Sequence, residues 1–174
     1  MSIRVSSGLY KGKKIYTSFK RGVRPTKSIV KEAIIEILKP LENKVILDLF
    51  AGYGTVGIEA LSRHAQHVTF IEKDKSVTGF LRKNLNEIVT DSNYDIVNED
   101  VMRFLDRNQK KYDIIFADPP YRKFVFDQLQ PAIANCLNDG GVFCMETNKN
   151  SLLNFPDVKF RKYGQTKVIF WKKT

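Results

Sequence analysis

The chain predicts an α/β domain built on a largely parallel, doubly wound sheet. Three observations carry that expectation. Short apolar runs such as Val45–Phe50, Val68–Glu72 and Tyr112–Ala117 alternate with segments of helical periodicity. A glycine-rich turn, Ala51-Gly52-Tyr53-Gly54-Thr55-Val56-Gly57, follows the first of these runs and leads into a helical segment. The length, 174 residues without internal repeats, suits one domain of this kind with a sizeable core.

The elements follow in order. Residues 3–17 predict a small hairpin, with Ile3 and Val5 paired to the Ile15-Tyr16-Thr17 run across Gly8 and Gly12. A basic loop over 18–25 ends in Arg24-Pro25-Thr26. Thr26 or Ser28 can cap the helix that follows. Ile29, Val30, Ala33, Ile34, Ile37 and Leu38 form its expected apolar stripe, and Pro40 stops it. Residues 1–40 are thus expected as a basic hairpin-and-helix extension and 41–174 as the main domain. Within the latter, strands are expected at 45–50, 68–72, 94–97, 112–117 and 141–146. Helices are expected at 54–63, 75–89, 101–107 and 124–137. Two late strands, near 158–163 and 166–172, predict an antiparallel hairpin at the sheet edge.

Composition narrows the function classes. No apolar run approaches the ~20 residues that span a bilayer. The opening MSIRVSSG has no apolar stretch like that of a secretory signal. Cys136 and Cys144 make no disulfide framework, and with His64 and His67 they make no metal-ligand cluster. A monomer in the reducing cytoplasm is the expectation, with no metal and no membrane partner. The formal charge is +10, from 29 Lys plus Arg against 19 Asp plus Glu. Its placement says more. The first 31 residues hold Arg4, Lys11, Lys13, Lys14, Lys20, Arg21, Arg24, Lys27 and Lys31 and no acid. Such an arm attracts a phosphate backbone and steers encounter with nucleic acid.

The glycine turn carries a cofactor signature. Gly52, Gly54 and Gly57 match the GxGxxG spacing, and Glu72 stands where an acid binds ribose hydroxyls. That pattern alone fits NAD or another adenosine-containing cofactor. Asp48, at the loop entry, suits a cationic amino-acid group better than a pyrophosphate. Asp100, in Asn98-Glu99-Asp100, can accept from an adenine amine, although it can also cap the next helix. Together these fit S-adenosylmethionine. The candidate cofactor-binding residues are Asp48, Phe50, Ala51, Gly52, Gly54, Glu72, Lys73, Asp100, Val101 and Asp118.

The candidate catalytic residues are Asp118, Pro119 and Tyr121 of Asp118-Pro119-Pro120-Tyr121, just beyond the run ending at Ala117. Each proline fixes φ near −65° and removes a donor, and each restricts the residue before it. A carboxylate and backbone carbonyls are thereby held in a stiff turn beside a flat ring. They can accept hydrogens from a planar amine while Tyr121 stacks on its base. That geometry suits methyl transfer to an exocyclic nitrogen.

These segments resemble a known family, the bacterial RsmD-like enzymes that methylate guanine N2 in small-subunit ribosomal RNA. The resemblance runs through Arg4-Val5-Ser6-Ser7-Gly8, Tyr10-Lys11-Gly12-Lys13-Lys14-Ile15, Arg24-Pro25-Thr26 and Val30-Lys31-Glu32-Ala33. It continues through Leu47–Gly54, Gly57–Arg63 and Asp118–Tyr121, and ends with Glu146 and Tyr163-Gly164-Gln165-Thr166. It departs where Ser28-Ile29 replaces a usual Asp-Arg, Ile35-Glu36 a usual Phe-Asn, and Tyr53 a usual Ser. The resemblance implies a class I methyltransferase (Rossmann-like) fold, a seven-stranded mostly parallel sheet with an antiparallel last strand and helices on both faces. It implies S-adenosylmethionine as cofactor and 16S rRNA, in a partly assembled small subunit, as partner. Arg4, Lys11, Lys13, Lys14, Arg24, Thr26 and Lys27 are the candidate RNA-binding residues. The same chemistry could serve adenine N6 or a protein glutamine; an NAD-dependent oxidoreductase and a non-catalytic RNA-binding protein are the more distant readings.

Overall fold

The computed structural model describes residues 3–17, 28–120, 126–148 and 157–174. Ile3–Arg4 (β1) and Lys14–Ile15 (β2) form a two-stranded antiparallel ribbon, and Ser28–Leu38 is the first helix (α1). The main sheet uses Val45–Leu49 (β3), His67–Ile71 (β4), Tyr94–Val97 (β5), Tyr112–Ala117 (β6), Leu137–Asn148 (β7), Val158–Tyr163 (β8) and Thr166–Lys172 (β9). Its helices are Thr55–Ser62 (α2), Lys75–Ile88 (α3), Val101–Arg107 (α4) and Phe126–Cys136 (α5). Strand order is β5-β4-β3-β6-β7-β9-β8. β3 through β7 are mutually parallel, and β9 runs antiparallel between β7 and β8.

Alternation along each central strand feeds two cores. Ile46, Val68, Phe70, Ile114 and Phe116 face α1, α2 and α3; Leu47, Leu49, Ile115 and Ala117 face α4 and α5. Such strands, apolar on both faces, are what a sheet covered by helices on both sides requires.

The hairpin and α1 belong to the first of these cores. Val5, Tyr10, Ile15, Val30, Ile34, Ile35 and Leu38 pack in it. A buried acid latches them there. Glu59 of α2, 0% exposed, accepts from the Ser6 N–H (2.9 Å), the Ser6 hydroxyl (2.6 Å), the Ser7 N–H (3.0 Å) and Lys31 Nζ (2.9 Å). Gly8, at φ +82°, lets the hairpin touch the end of α2: a Cβ there would fall 1.9 Å from the Ser62 carbonyl oxygen.

This latch corrects two expectations. Lys31 is 1% exposed, so it is an internal ion-pair partner and not part of a phosphate-attracting surface. The buried stripe of α1 is also rotated. Val30, Lys31, Ile34, Ile35 and Leu38 face inward, while Ile29 and Ile37 face solvent. Capture of Lys31 by Glu59 turns the helix to this face.

Two boundaries also differ. The ladder of the hairpin is shorter than the 3–17 pattern suggests, with Ile3 opposite Ile15 and Arg4 opposite Lys14. β7 begins at Leu137, not Gly141, because Tyr112 pairs with Leu137 and the ladder then shifts to Ile114–Val142. The intervening Asn138-Asp139-Gly140-Gly141, which reads as a turn, is an irregularity inside the strand, with Gly140 at φ +76°.

Candidate active site

The chain proceeds from β3 outward through β4 and β5, then returns to the other side of β3 as β6. The crevice between β3 and β6, beyond their carboxyl ends, is the point at which sheets of this type bind ligands. Ladder register aligns what stands there. Leu49 is opposite Ile71 and Ala117, and Ile71 is opposite Val97. The next residues, Phe50, Glu72, Asn98 and Asp118, therefore form one row past the strand ends. The structure brings together the predicted Asp48, glycine-turn, Glu72–Lys73, Asp100–Val101 and Asp118–Pro119 segments on this edge.

The glycine turn is tied down from within. Ala51 N–H donates to the Ile71 carbonyl (3.0 Å), Gly52 N–H to Glu72 Oε2 (3.0 Å), Gly54 N–H to the Ala51 carbonyl (2.9 Å) and Gly57 N–H to Asp48 Oδ2 (3.0 Å). A dinucleotide cradle would aim such N–H groups at a pyrophosphate. Here they point at the protein's own oxygens. Gly57 is demanded by close packing, since a Cβ would meet Phe70 Cε1 at 2.2 Å.

Electrostatics point the same way. Asp48 is 4% exposed. Burial raises its carboxyl pKa to about 7; the Gly57 N–H opposes the rise, and the nearby Asp118 and Glu72 carboxylates add to it. Three acids at one strand edge repel a pyrophosphate and fit a cation. A sulfonium and an amino-acid ammonium are such groups, so the residues present fit S-adenosylmethionine.

Glu72 is held by the Gly52 and Asp74 N–H groups, the latter at 2.8 Å. Asn98 fixes the segment beneath it, donating from Nδ2 to the carbonyls of Glu72 (2.8 Å) and Lys73 (3.0 Å). Asp100 caps α4, accepting from the Met102 N–H (3.0 Å). Val101 is buried in the second core and Lys73 is exposed. Phe50 adopts φ +58° as the chain turns off β3. Pro119 is buried and Pro120 exposed; Tyr121 lies outside the described residues. Among the described residues, no group of three His, Cys, Asp or Glu is placed to hold a metal ion.

Tyr53, which stands where the family usually has Ser, is buried, with its ring edge-on to Phe80 at 6.0 Å. Its carbonyl accepts from Asn84 Nδ2 (3.0 Å), and the same side chain pairs with the Tyr16 N–H (2.8 Å) and carbonyl (3.0 Å). Asn84 thus joins the leader to the glycine turn. Asn84, Asn98 and Glu59 were assigned no role from sequence. Glu59 left a signal: an acid in the otherwise small or apolar Thr55–Ser62 segment requires a buried partner.

Of the candidate RNA-binding residues, Arg4, Lys11, Lys13 and Lys14 are exposed on the hairpin, where Arg4 also donates to the Gly12 carbonyl (2.7 Å). Arg24, Thr26 and Lys27 lie outside the described residues. His64 is exposed, and His67 meets Asp95 at 3.1 Å on the domain's outer side. Cys136 and Cys144 are buried thiols whose pKa values burial pushes up, as for inert packed cysteines.

The strand order, the lone antiparallel β9 and the acid-bearing edge define a class I S-adenosylmethionine-dependent methyltransferase. Comparison with known proteins narrows this further. The family model described as Conserved hypothetical protein 95 matches residues 3–172. The ribosomal RNA small subunit methyltransferase D of Haemophilus influenzae is 36% identical over 164 residues, covering 89% of this chain and 83% of the relative. YlbH of Bacillus subtilis is 32% identical over 184 residues, covering 98% and 99%. The solved structure of yhhF from Escherichia coli superposes with a TM-score of 0.85 at 29% identity, covering 99% and 98%. The chain belongs to this RsmD-like methyltransferase family.

Proposed function

We propose that this protein transfers a methyl group from S-adenosylmethionine to the exocyclic N2 of a guanine in 16S rRNA, within a partly assembled small subunit. The observation that carries the reading is the position of Asp118-Pro119, one residue past β6, at the switch crevice and within electrostatic reach of Asp48. Relatives such as the Haemophilus influenzae ribosomal RNA small subunit methyltransferase D suggest the ribosomal RNA target.

A guanine amine is a poor nucleophile because its lone pair is delocalised into the ring. Asp118 Oδ and the Pro119 carbonyl accept its two hydrogens, which favours a tetrahedral nitrogen with its lone pair aimed at the cofactor. The bound cofactor supplies an electrophilic methyl on a sulfonium. Transfer of that methyl would leave a surplus proton on the amine, which Asp118 or water would take. Asp48 and Glu72, with Phe50, Ala51, Gly52, Gly54, Lys73, Asp100, Val101 and Asp118, would hold the cofactor. Tyr121 stacks on the extruded base, an interaction worth roughly 1–3 kcal/mol. Arg4, Lys11, Lys13, Lys14, Arg24, Thr26 and Lys27 contact the RNA backbone.

The test supplies isotope-labelled S-adenosylmethionine with unmodified small subunits or free 16S rRNA, followed by nucleoside identification. N2-methylguanine is the expected product. A different methylated base would overturn the target, and absence of transfer to either substrate would overturn the reaction.

A further inference from the structure

The second strongly basic segment is at the far end of the chain. Residues 158–174 contain Lys159, Arg161, Lys162, Lys167, Lys172 and Lys173 and no acid. β8 is the sheet's edge strand, and Lys159, Phe160, Arg161 and Lys162 along it are all exposed. Phe160 is 47% exposed, and two ammonium groups lie near its ring: Nζ of the exposed Lys162 at 5.8 Å and Nζ of the buried Lys167 at 5.2 Å from the centroid.

Lysines on an edge strand have an ordinary use, as guards against edge-to-edge pairing. That accounts for the cations and not for the phenylalanine, which would make the edge more adhesive. A flat ring among exposed cations is instead the chemistry that binds single-stranded nucleic acid, the ring stacking on a base and the cations following the backbone.

Sheet register ties this patch to the catalytic edge. Ala117 pairs with Met145, Met145 with Ile169, and Ile169 with Phe160. Phe160 is therefore level with the residue just before Asp118. Glu146, the next residue along β7, pairs with Val168, and Val168 with Arg161. Arg161 is thus level with Asp118 itself. β8 lies three strands from β6, or about 14 Å at ordinary strand spacing. A base drawn out of its stack to reach Asp118 leaves its neighbours splayed.

We propose that the β8–β9 edge is a second RNA contact, in which Phe160 stacks on a single-stranded nucleotide flanking the target, Lys162 on the same face of β8 contacts its phosphate, and Arg161, on the opposite face, contacts the backbone as it passes around the edge. This rests on RNA methyl transfer as proposed above, and the experiment separates the two.

Wild type, Phe160→Ala, Phe160→Tyr and the double variant Arg161→Ala/Lys162→Ala are compared. The measurements are kcat and KM on 16S rRNA, a salt titration of binding to protein-free 16S rRNA, and Tm as a folding control. Phe160→Ala is expected to raise KM and weaken RNA binding by at least about fivefold, with kcat within twofold of wild type. Phe160→Tyr restores both, and the double variant lowers the salt slope by about 2. Unchanged KM and salt slope in a wild-type background that methylates would overturn the contact and leave the reaction standing. Phe160-dependent binding by a wild type that methylates no RNA would support the contact and sink the reaction. Weakened association with assembled subunits, with binding to protein-free RNA untouched, would assign the patch to a ribosomal protein and overturn the RNA reading.

Discussion

Two buried carboxylates, Asp48 and Glu59, stand at either end of one short stretch of chain and are treated in opposite ways. Glu59 is surrounded by donors: Ser6, Ser7, Lys31 and Arg63. Burial pushes its pKa up, but the Ser6 hydroxyl and N–H, with Lys31, more than reverse this and hold it below the ordinary value. Asp48 accepts from the Gly57 N–H and has two carboxylates for neighbours, so burial, reinforced by those carboxylates, raises its pKa. A compensated acid is a structural clasp. An undercompensated one, at the carboxyl end of a central strand, fits the cation-binding role proposed for Asp48.

The largest effect comes from breaking the clasp. Glu59→Gln leaves Lys31 buried without its counter-charge, which costs about 3–5 kcal/mol. For a chain of this size that lowers Tm by roughly 10 °C. Adding Lys31→Met, which removes the stranded charge, should recover much of the loss. A thermal-unfolding double-mutant cycle reads both, and additive losses would show that the two side chains do not act as a pair.

Asp118→Asn tests the other carboxylate cluster where chemistry is proposed. It keeps the shape and removes the charged acceptor. By analogy with the loss of one preorganised polar group at a reacting centre, kcat should fall about 10²–10³-fold. Cofactor affinity, measured by calorimetry, should fall far less. An equal loss in both would make Asp118 chiefly a cofactor ligand and leave amine activation to other groups. Removing this charge also takes away one source of repulsion on Asp48, whose pKa should drop.

A smaller effect separates the two acids by pH. Asp48 has a folded pKa of about 7 against an ordinary 3.8. Between these values the folded chain holds a proton that the unfolded chain has released, so this contribution to stability falls as pH rises through that window. Glu59, with its pKa lowered, contributes stability above its ordinary 4.5 that is lost as pH falls through the folded value. Asp48→Asn should therefore flatten the Tm profile between about pH 4 and 7 and leave the acid limb intact. At pH 8 it should raise Tm by about 3 °C per kcal/mol recovered while weakening cofactor binding. A variant with the wild-type slope would show that Asp48 ionises without cost.

How much of this was legible in the sequence follows from the same contrast. β4, β5, β6, β8 and β9 lie within a residue of their expected positions, because apolar runs bounded by turns are a local signal. The row Glu72, Asp118 and the glycine turn was legible because each sits at the end of such a run. The clasp was not. Lys31 is 28 residues from Glu59, and its helix offered Ile29 and Ile37 as equally good inward residues. Only the tertiary pairing decided which face turned in. The irregularity at Asn138–Gly141 was hidden for a related reason, since a turn-like composition also fits a bulge that only the facing strand reveals.

The smallest effect concerns the leader that the clasp holds in place. Losing Lys31 from its exposed charges leaves Arg4, Lys11, Lys13 and Lys14 on the hairpin, with Arg24 beyond the described residues. If those cations contact phosphates, Arg24→Ala should weaken RNA binding about equally across sequences and lower the salt slope by about 1. Cofactor affinity should stay within error, because the acids proposed to hold the cofactor, Asp48 and Glu72, belong to other elements. Glu59→Gln should disturb the same RNA contacts indirectly, through loss of the hairpin's seat on α2, and should do so along with Tm. Arg24→Ala should leave Tm unchanged. An unchanged salt slope in Arg24→Ala, beside a reduced one in Glu59→Gln, would place the phosphate contacts on the hairpin and not at Arg24.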